Sequence, residues 1–183
     1  TNCLAPIVKV ILDNFGLDDV NDGDIFLSND PYTGGAVHSN DVGCLAPVFA
    51  EGSLFGWVFC DMHFPDVGGG VPGSFVPDAL DVFAEAFRFP PTRIYTAGRY
   101  VADVARAFAN NSRLPEMTSH NISAEVGAIH FGIRIVSDLI DQYGAAELGA
   151  IITDLQDFSD AAFRERIAAV PDGIYEAADY IED

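Results

Sequence analysis

Four histidines occur in the sequence, and two of them carry an aspartate three positions further along. His38 precedes Asp41 in GGAVHSNDVG, and His63 precedes Asp66 in MHFPDVGGG. Imidazole nitrogens and a carboxylate suit Zn, Mn or Fe(II) and leave coordination positions open for water or a substrate. His38, Asp41 and His63 are therefore candidate metal ligands. The alternative is that they are ordinary polar residues at a strand edge.

Two further motifs could contribute to such a site. Asp66 could be another ligand, could orient an imidazole or could act as a general base, although an aspartate before three glycines also fits an ordinary turn. NDPY at residues 29–32 is common turn chemistry, yet it follows a predicted buried strand, where binding groups are often presented.

The elements predicted around these residues bring two of them together. VGCLAPVF and SLFGWVFCDM are apolar runs separated by AEGS, which predicts a β-hairpin. Asp41 directly precedes the first run and His63 directly follows the second. The centre of the predicted turn is about equidistant from both, so antiparallel pairing is expected to place them side by side.

The rest of the chain changes from strands and loops to helices. A buried strand is predicted in DIFLS, a Gly/Pro-rich loop in DVGGGVPGSFVP and an extended segment in RFPPTRIY. Apolar periodicity predicts helices at residues 5–15, 78–87, 100–111, 119–143 with Ser119 as N-cap, 146–156 and 159–169. The predicted class is α+β, with a β-hairpin and Gly/Pro-rich loops in the N-terminal half and helices in the C-terminal half.

The remaining histidines and the cysteines match no ligand spacing. His120 and His130 fall in or beside the long helix, where capped or partly buried structural roles are expected. Cys3, Cys44 and Cys60 fit neither a disulfide framework nor a zinc ribbon and are expected to be buried free thiols. No GxxxxGK[ST], GxSxG or HExxH motif occurs, so ATP is not expected to bind to this chain.

Composition limits the possible partners. The 183 residues favour one domain, residues 1–183, and 49% of them are hydrophobic. The formal net charge of −19 argues against nucleic acid as a partner. No run approaches a membrane span and no secretory pattern starts the chain, so a cytoplasmic protein is expected. Both ends look cut, which suggests a fragment of a longer protein.

Several motifs, in order along the chain, resemble the hydantoinase B/oxoprolinase family of B-type subunits. They are GDIFLSNDPYTGG, VHSNDVG, APVF, MHFPDVGGGVPGSF, FRFPPTRIY and VPDGIYEAAD. That family includes N-methylhydantoinases, 5-oxoprolinases and the acetone and acetophenone carboxylases. Its B-type subunits are several times larger than a small domain, so the resemblance implies an N-terminal portion of such a subunit.

The resemblance also implies partners, a metal and residue roles. A hydantoinase A-type subunit would bind ATP and phosphorylate the substrate, and the remainder of the B-type subunit would complete this chain. In the related ketone carboxylases a divalent metal is held by a histidine, an aspartate three residues on and a later histidine, which correspond here to His38, Asp41 and His63. Asp66 and Asp30 become candidates for supporting or proton-transfer roles.

Departures from the family pattern bear on the reaction. The cyclic-amide branch usually reads GGTHLPD and RAHHADVGG, whereas this sequence has Val37 before the first histidine and Phe64 in place of a second histidine after His63. These features favour the ketone-carboxylase type. Cyclic amide hydrolysis of the hydantoinase or 5-oxoprolinase type remains the alternative, and a non-catalytic structural subunit is a third possibility.

Overall fold

The computed structural model describes residues 4–34 and 36–179 and confirms the α+β class. A five-stranded antiparallel sheet occupies the N-terminal half, and helices dominate the C-terminal half. The elements in chain order are α1 (Leu4–Phe15), a 3-10 turn (Leu17–Asp19), β1 (Ile25–Ser28), β2 (Asp41–Ala50), β3 (Ser53–His63), α2 (Val82–Glu85), β4 (Thr92–Thr96), β5 (Arg99–Tyr100), α3 (Ala102–Ala109), α4 (Pro115–Tyr143) and α5 (Ala145–Ala168).

The predicted hairpin is formed by β2 and β3, joined by a two-residue turn. Glu51 and Gly52 both have positive φ, at 51° and 79°. This is the combination that a tight type I′ turn requires, and its twist matches that of the flanking strands. The sheet continues in the order β3-β2-β1-β4-β5, with every neighbouring pair antiparallel.

Both faces of the central strands are covered, which explains why β2 is apolar at nearly every position. Val42, Cys44 and Ala46 point to the face covered by α3 and α4, where they join the larger apolar cluster. Leu45 points to the opposite face and packs with residues of α1. The sheet is therefore a middle layer, and its edge strands are β3 and β5.

Two predicted boundaries on the C-terminal side of the sheet are wrong. The long helix begins at Pro115 rather than Ser119, because proline is well suited to a first helical turn, where its missing N–H needs no partner. Ser119 does not cap this helix, and its hydroxyl donates to the carbonyl of Pro115 within the first turns. Residues 99–100 form β5, so α3 is shorter than the predicted helix at 100–111.

The two predicted helices at 146–156 and 159–169 are one continuous helix, α5. Ser159 is the first residue of the second predicted helix, but its hydroxyl donates to the carbonyl of Leu155 and is accommodated inside α5. The helix predicted at 78–87 is also wrong in length, since α2 has only four residues. The chain leaves α2 because the backbone N–H of Phe87 donates to the carbonyl of Val67 in the glycine-rich loop.

The predictions for the isolated histidines and the cysteines are confirmed only in part. His120 and His130 are both exposed on α4, so the expectation of capped or partly buried positions is wrong. Cys44 is a buried free thiol as predicted, and Cys60 is free but only half-buried. Cys3 lies outside the described residues. Within residues 4–34 and 36–179, no helix combines the length and the hydropathy that crossing a bilayer requires.

Candidate metal centre

Asp41 and His63 lie directly opposite each other at the open end of the hairpin, as the sequence predicted. β2 has 10 residues and β3 has 11, and a bulge next to the Val48–Phe49 step leaves Phe55 without a cross-strand partner. A one-residue slip would turn every side chain of β3 to the other face of the sheet. The bulge therefore puts His63, rather than Met62, on the same face as Asp41.

His38 reaches the same place through a tight turn. The backbone N–H of Asp41 donates to the carbonyl of His38 at 3.0 Å. The backbone N–H of His38 donates back to Asp41 Oδ2 at 2.9 Å. These reciprocal bonds explain the three-residue spacing of the H-x-x-D motif, since the turn brings its first and fourth residues together.

Two buried asparagines hold this turn in place. The Asn29 amide donates to the carbonyl of Ser39 at 2.9 Å and to that of Phe87 at 2.9 Å. The Asn40 amide donates to the carbonyl of Phe64, immediately after His63, at 2.8 Å. Sequence reasoning missed both roles, because an asparagine beside an aspartate is ordinary turn composition and gives no separate signal.

The three candidate ligands converge on the carboxylate of Asp41. His63 Nδ1 lies 2.7 Å from Asp41 Oδ1, and His38 Nδ1 lies 3.1 Å from Asp41 Oδ2. The two imidazole rings meet edge to face, with centroids 6.0 Å apart. One potential ligand atom from each residue lies within 4.8 Å of the other two. A single ion can be reached by all three side chains from these positions.

Asp41 is ionised in this arrangement. Burial raises the pKa of its carboxyl, but hydrogen bonds from the His63 ring and the His38 backbone, together with the charge of both imidazoles, hold the pKa below its usual value. The carboxylate is 16% exposed, whereas the side chains of His38 and His63 are 69% and 63% exposed. The centre thus combines a largely buried carboxylate, that of Asp41, with two imidazole rings that are exposed to solvent.

The donor set fits the divalent metals that the sequence suggested. Two imidazole nitrogens and one carboxylate oxygen suit Zn, Mn or Fe(II), and three protein ligands leave positions open for water or substrate. Nδ1 of each ring faces the Asp41 carboxylate, so a nitrogen or oxygen donor from each of the three residues is close enough to share one ion. Among the described residues, this is the one group of three histidine, cysteine or acidic side chains close enough to share an ion.

Asp66 lies outside this group, in the glycine-rich loop. Its buried carboxylate accepts backbone N–H bonds from Gly68, Gly73 and Arg113 at 2.9–3.1 Å and pairs with the Arg113 guanidinium at 3.1 Å. Burial raises the pKa of Asp66, but these donors outweigh it and bring the pKa to about 2. The contacts match the turn aspartate that was the alternative in the sequence, and its role as a general base stays a prediction.

Asp30 is likewise held by an arginine. Arg88 Nη2 lies 2.8 Å from Asp30 Oδ2, and the Thr33 hydroxyl donates to the same oxygen at 2.6 Å. Burial raises the pKa of Asp30, but the hydrogen bonds from Arg88, Thr33 and the Tyr32 backbone lower the pKa by more. The net shift of the pKa is therefore downward. The carboxylate orders the NDPY turn, and a role in proton transfer stays a prediction.

A cavity of about 660 Å³ opens beside the metal candidates. His38 and His63 form part of its wall, and the rest comes from the NDPY turn, the glycine-rich loop and α2. The exposed aromatic side chains of Tyr32 and Phe75 contribute to the wall, as does Glu85 of α2. The sequence had indicated the NDPY turn and the glycine-rich loop as candidate site segments. No sequence pattern indicated that Glu85, in a four-residue helix, would lie at the cavity wall.

One carboxylate near the candidate ligands was also missed. Asp61 is paired with Gly43 across the hairpin and stands two residues before His63, on the same face of β3. Partial burial and the nearby charge of Asp41 raise the pKa of Asp61, while His63 lowers it. Strand alternation in CDMH was the signal that could have identified it.

Fold and site together define an α+β protein with a histidine and aspartate centre at the mouth of a cavity. A sequence profile of the hydantoinase B/oxoprolinase family matches residues 1–183, and the chain belongs to this family. The resemblance seen in the motifs is thereby confirmed.

The relatives include subunits of enzymes named for both reaction types. The β subunit of caprolactamase from Pseudomonas jessenii is 35% identical over 180 residues, covering 98% of this chain and 31% of the relative. The δ subunit of acetophenone carboxylase from Aromatoleum aromaticum is 32% identical over 171 residues, covering 92% of this chain and 25% of the relative.

A solved structure agrees with the fold. The crystal structure of ATP-dependent caprolactamase from Pseudomonas jessenii matches all of this chain with a TM-score of 0.88 and 34% identity. The match covers 31% of that structure's chain. This chain therefore spans about a third or less of the length of these relatives.

Proposed function

We propose that this chain carries the metal centre of a B-type subunit in an ATP-dependent enzyme that hydrolyses cyclic amides. The observation that carries the proposal is the convergence of His38, Asp41 and His63 on one point at the wall of a 660 Å³ cavity. Similarity to the caprolactamase β subunit over 98% of the chain supports the reaction type.

In this proposal His38, Asp41 and His63 hold a divalent ion, Zn, Mn or Fe. When bound, such an ion supplies Lewis acidity toward a carbonyl or phosphoryl oxygen and lowers the pKa of a bound water. The cavity wall positions the ring of the substrate beside these three residues. ATP is assigned to a separate A-type subunit, since the chain has no phosphate-binding loop motif.

A ketone carboxylase is the second candidate. It is favoured by Phe64, which follows His63 where the cyclic-amide branch has a second histidine. Phe64 is completely buried and packs edge to face on Phe108, with centroids 6.4 Å apart, so it contributes to the core and offers no ligand. The similarity to the acetophenone carboxylase δ subunit is consistent with this candidate.

The test uses the full-length subunit with its ATP-binding partner. Metal bound per subunit is measured by atomic emission for the wild type, His38→Ala and His63→Ala. ATP hydrolysis is measured with a panel of lactams and hydantoins, and separately with ketones plus bicarbonate. We expect each substitution to reduce metal affinity about tenfold or more, since each removes one of three protein ligands or its orientation.

The matched control is His120→Ala, which removes an exposed histidine of α4 and should leave metal content and turnover unchanged. Unchanged metal content in both site variants would refute the metal centre. Turnover with ketones but not with cyclic amides would establish the second candidate. If the assembled complex keeps full turnover when both histidines are replaced, the subunit has a structural role only.

A further inference from the structure

The helix α5 projects away from most of the described chain. It has 24 residues, and Leu148 in its first turn is its one buried residue within residues 4–34 and 36–179. Its main neighbour is α4, to which Gly144 joins it. Because most helix stability in proteins comes from the packing of an apolar face, the rest of α5 is expected to have a further neighbour.

Large apolar side chains recur along one face of α5. Five of them follow one another at spacings of three, four or eight residues, which places them on the same side of a helix. We call these five residues the apolar stripe: Leu148, Ile152, Leu155, Phe163 and Ile167. Beyond Leu148 the stripe is open, since Leu155 is 60% exposed and Phe163 is 66% exposed. Phe158 borders the stripe and is 73% exposed.

Charge is concentrated on the opposite side of the helix. The spacing places four charged residues there, namely Asp154, Asp157, Asp160 and Arg164. Asp160 and Arg164 form an exposed ion pair with each other. Polar residues also lie among the stripe, namely Gln156, Ser159 and Arg166. Such a distribution is typical of a helix that lies on a protein surface with its apolar side buried.

The size of the apolar stripe favours a neighbour within the same subunit. Phe158 and Phe163 expose about 100 Å² or more each, and the stripe together with Phe158 presents about 500 Å². An apolar patch of this size marks an interaction site. A stable interface between separate chains buries about 800 Å² on each partner. A segment of the same chain needs less area, because its covalent connection keeps it at a high local concentration.

The relatives have the additional length that such a neighbour requires. The match covers 31% of the caprolactamase β subunit and 25% of the acetophenone carboxylase δ subunit, so most of each relative lies outside it. The caprolactamase crystal structure matches all of this chain, α5 included, with a TM-score of 0.88. The helix therefore takes a comparable position in a chain about three times as long.

We propose that the apolar stripe of α5 packs against a part of the full-length subunit that lies outside residues 1–183. The occupant presents an apolar face, because burial of aliphatic and aromatic side chains is favourable only in apolar surroundings. The charged side of α5 stays in water. This contact joins the described region to the remainder of the subunit. The inference goes beyond the proposed function and does not rest on it, since neither a metal nor a substrate takes part in the contact.

Cysteine labelling of the full-length subunit tests this contact. Leu155→Cys and Phe163→Cys each place a thiol in the apolar stripe, and Asp157→Cys is the matched control on the charged side of the same helix. Labelling by a water-soluble maleimide is followed by mass spectrometry of the peptide that contains the new thiol. Each rate is divided by the rate in urea. We expect the stripe thiols of the folded subunit to react about tenfold or more slowly than the control.

Three conditions identify the occupant. The labelling is repeated at low protein concentration, at high protein concentration and with the ATP-binding partner subunit present. We expect the same protection in all three, because the occupant belongs to the same chain. Circular dichroism verifies that each variant is folded, and Ile167→Cys supplies a further stripe position if one of the other two is not.

Equal labelling of the stripe and of the charged side, whether fast or slow, would overturn the inference. Protection that appears only at high concentration would assign the stripe to a second copy of the chain. Protection that appears only with the ATP-binding subunit would assign the stripe to that subunit, and either result would also overturn the inference. The proposed function is judged separately by metal content and by ATP-dependent turnover, so each of the two can fail while the other stands.

Discussion

The carboxylates of this molecule differ chiefly in the partners that surround them. Asp41 lies between two imidazoles, and Asp66 and Asp30 are each paired with an arginine far away in sequence. Glu125 is completely buried on α4, where Oε2 accepts from the Cys44 thiol at 3.4 Å and Oε1 has no hydrogen-bond partner within residues 4–34 and 36–179. The pKa values of Asp41, Asp66 and Asp30 are therefore lowered, whereas that of Glu125 is raised.

A first prediction concerns Glu125. Burial raises its pKa from 4.5 to about 9, so the folded protein keeps this carboxyl neutral where the unfolded chain ionises it. Because the folded-state pKa lies above the unfolded value, stability decreases as pH rises between about 4.5 and 9, by about 1.4 kcal/mol per pH unit. Glu125→Gln should remove this slope, as measured by urea denaturation at several pH values between 5 and 8.

The control for that series is Glu116→Gln, an exposed glutamate at the start of the same helix. Its stability should follow that of the wild type across the pH range. If Glu125→Gln also follows the wild type in parallel, the buried carboxyl does not carry the predicted linkage.

At the scale of elements, close backbone approaches shape the site. Gly69 has a φ of 82°, and a Cβ atom there would lie 2.0 Å from the carbonyl oxygen of Glu85. The neighbouring Gly70 N–H donates to the carbonyl of Ala84 at 2.7 Å. The glycine-rich loop therefore packs directly on the backbone of α2 and fixes Glu85 at the cavity wall.

Replacing Gly69 should separate these two segments. Gly69→Ala introduces both an unfavourable positive φ and a clash with backbone, so we expect a loss of about 2 kcal/mol or more in the free energy of unfolding. Gly149→Ala is the control, since a Cβ there meets nothing within 4 Å and alanine favours the helix, with an expected gain of about 0.5–1 kcal/mol. Urea denaturation measures both, and equal effects would contradict the close approach.

At the scale of the whole molecule, charge opposes compactness. The net charge is −19, and the exposed ion pairs Lys9–Asp13, Arg106–Asp103 and Arg164–Asp160 offset little of it. Like charges spread over one surface repel one another, and this repulsion is relieved on unfolding.

Salt should therefore stabilise the protein. Raising KCl from about 10 mM to 500 mM shortens the Debye length from about 30 Å to a few ångströms, which screens the net repulsion. We expect Tm, measured by circular dichroism, to rise by about 2–4 °C, corresponding to about 1 kcal/mol for a chain of this size. A steady fall in Tm would instead mean that the ion pairs outweigh the repulsion.

Local patterns in the sequence were sufficient for much of the fold. Two apolar runs separated by a short glycine-containing segment identified the hairpin. Period-3.6 apolar repeats identified α1 and the core of α4, because each such repeat reflects burial of one face of a helix. The spacing of His38 and Asp41 likewise follows from one tight turn. The ends of α2, the start of α4 and the continuity of α5 were not predicted, because bonds such as Phe87 N–H to Val67 and the preference of Pro115 for a first turn compete with periodicity.

The sequence by itself determined the fold class, the family and the three candidate ligands. Only the tertiary structure decided how those ligands meet and what surrounds them. A single unpaired residue, Phe55, sets the face on which His63 lies, and the partners of Asp66 and Asp30 are arginines 47 and 58 positions away. Such pairings depend on the packing of several elements at once, whereas a sequence pattern reports one element at a time.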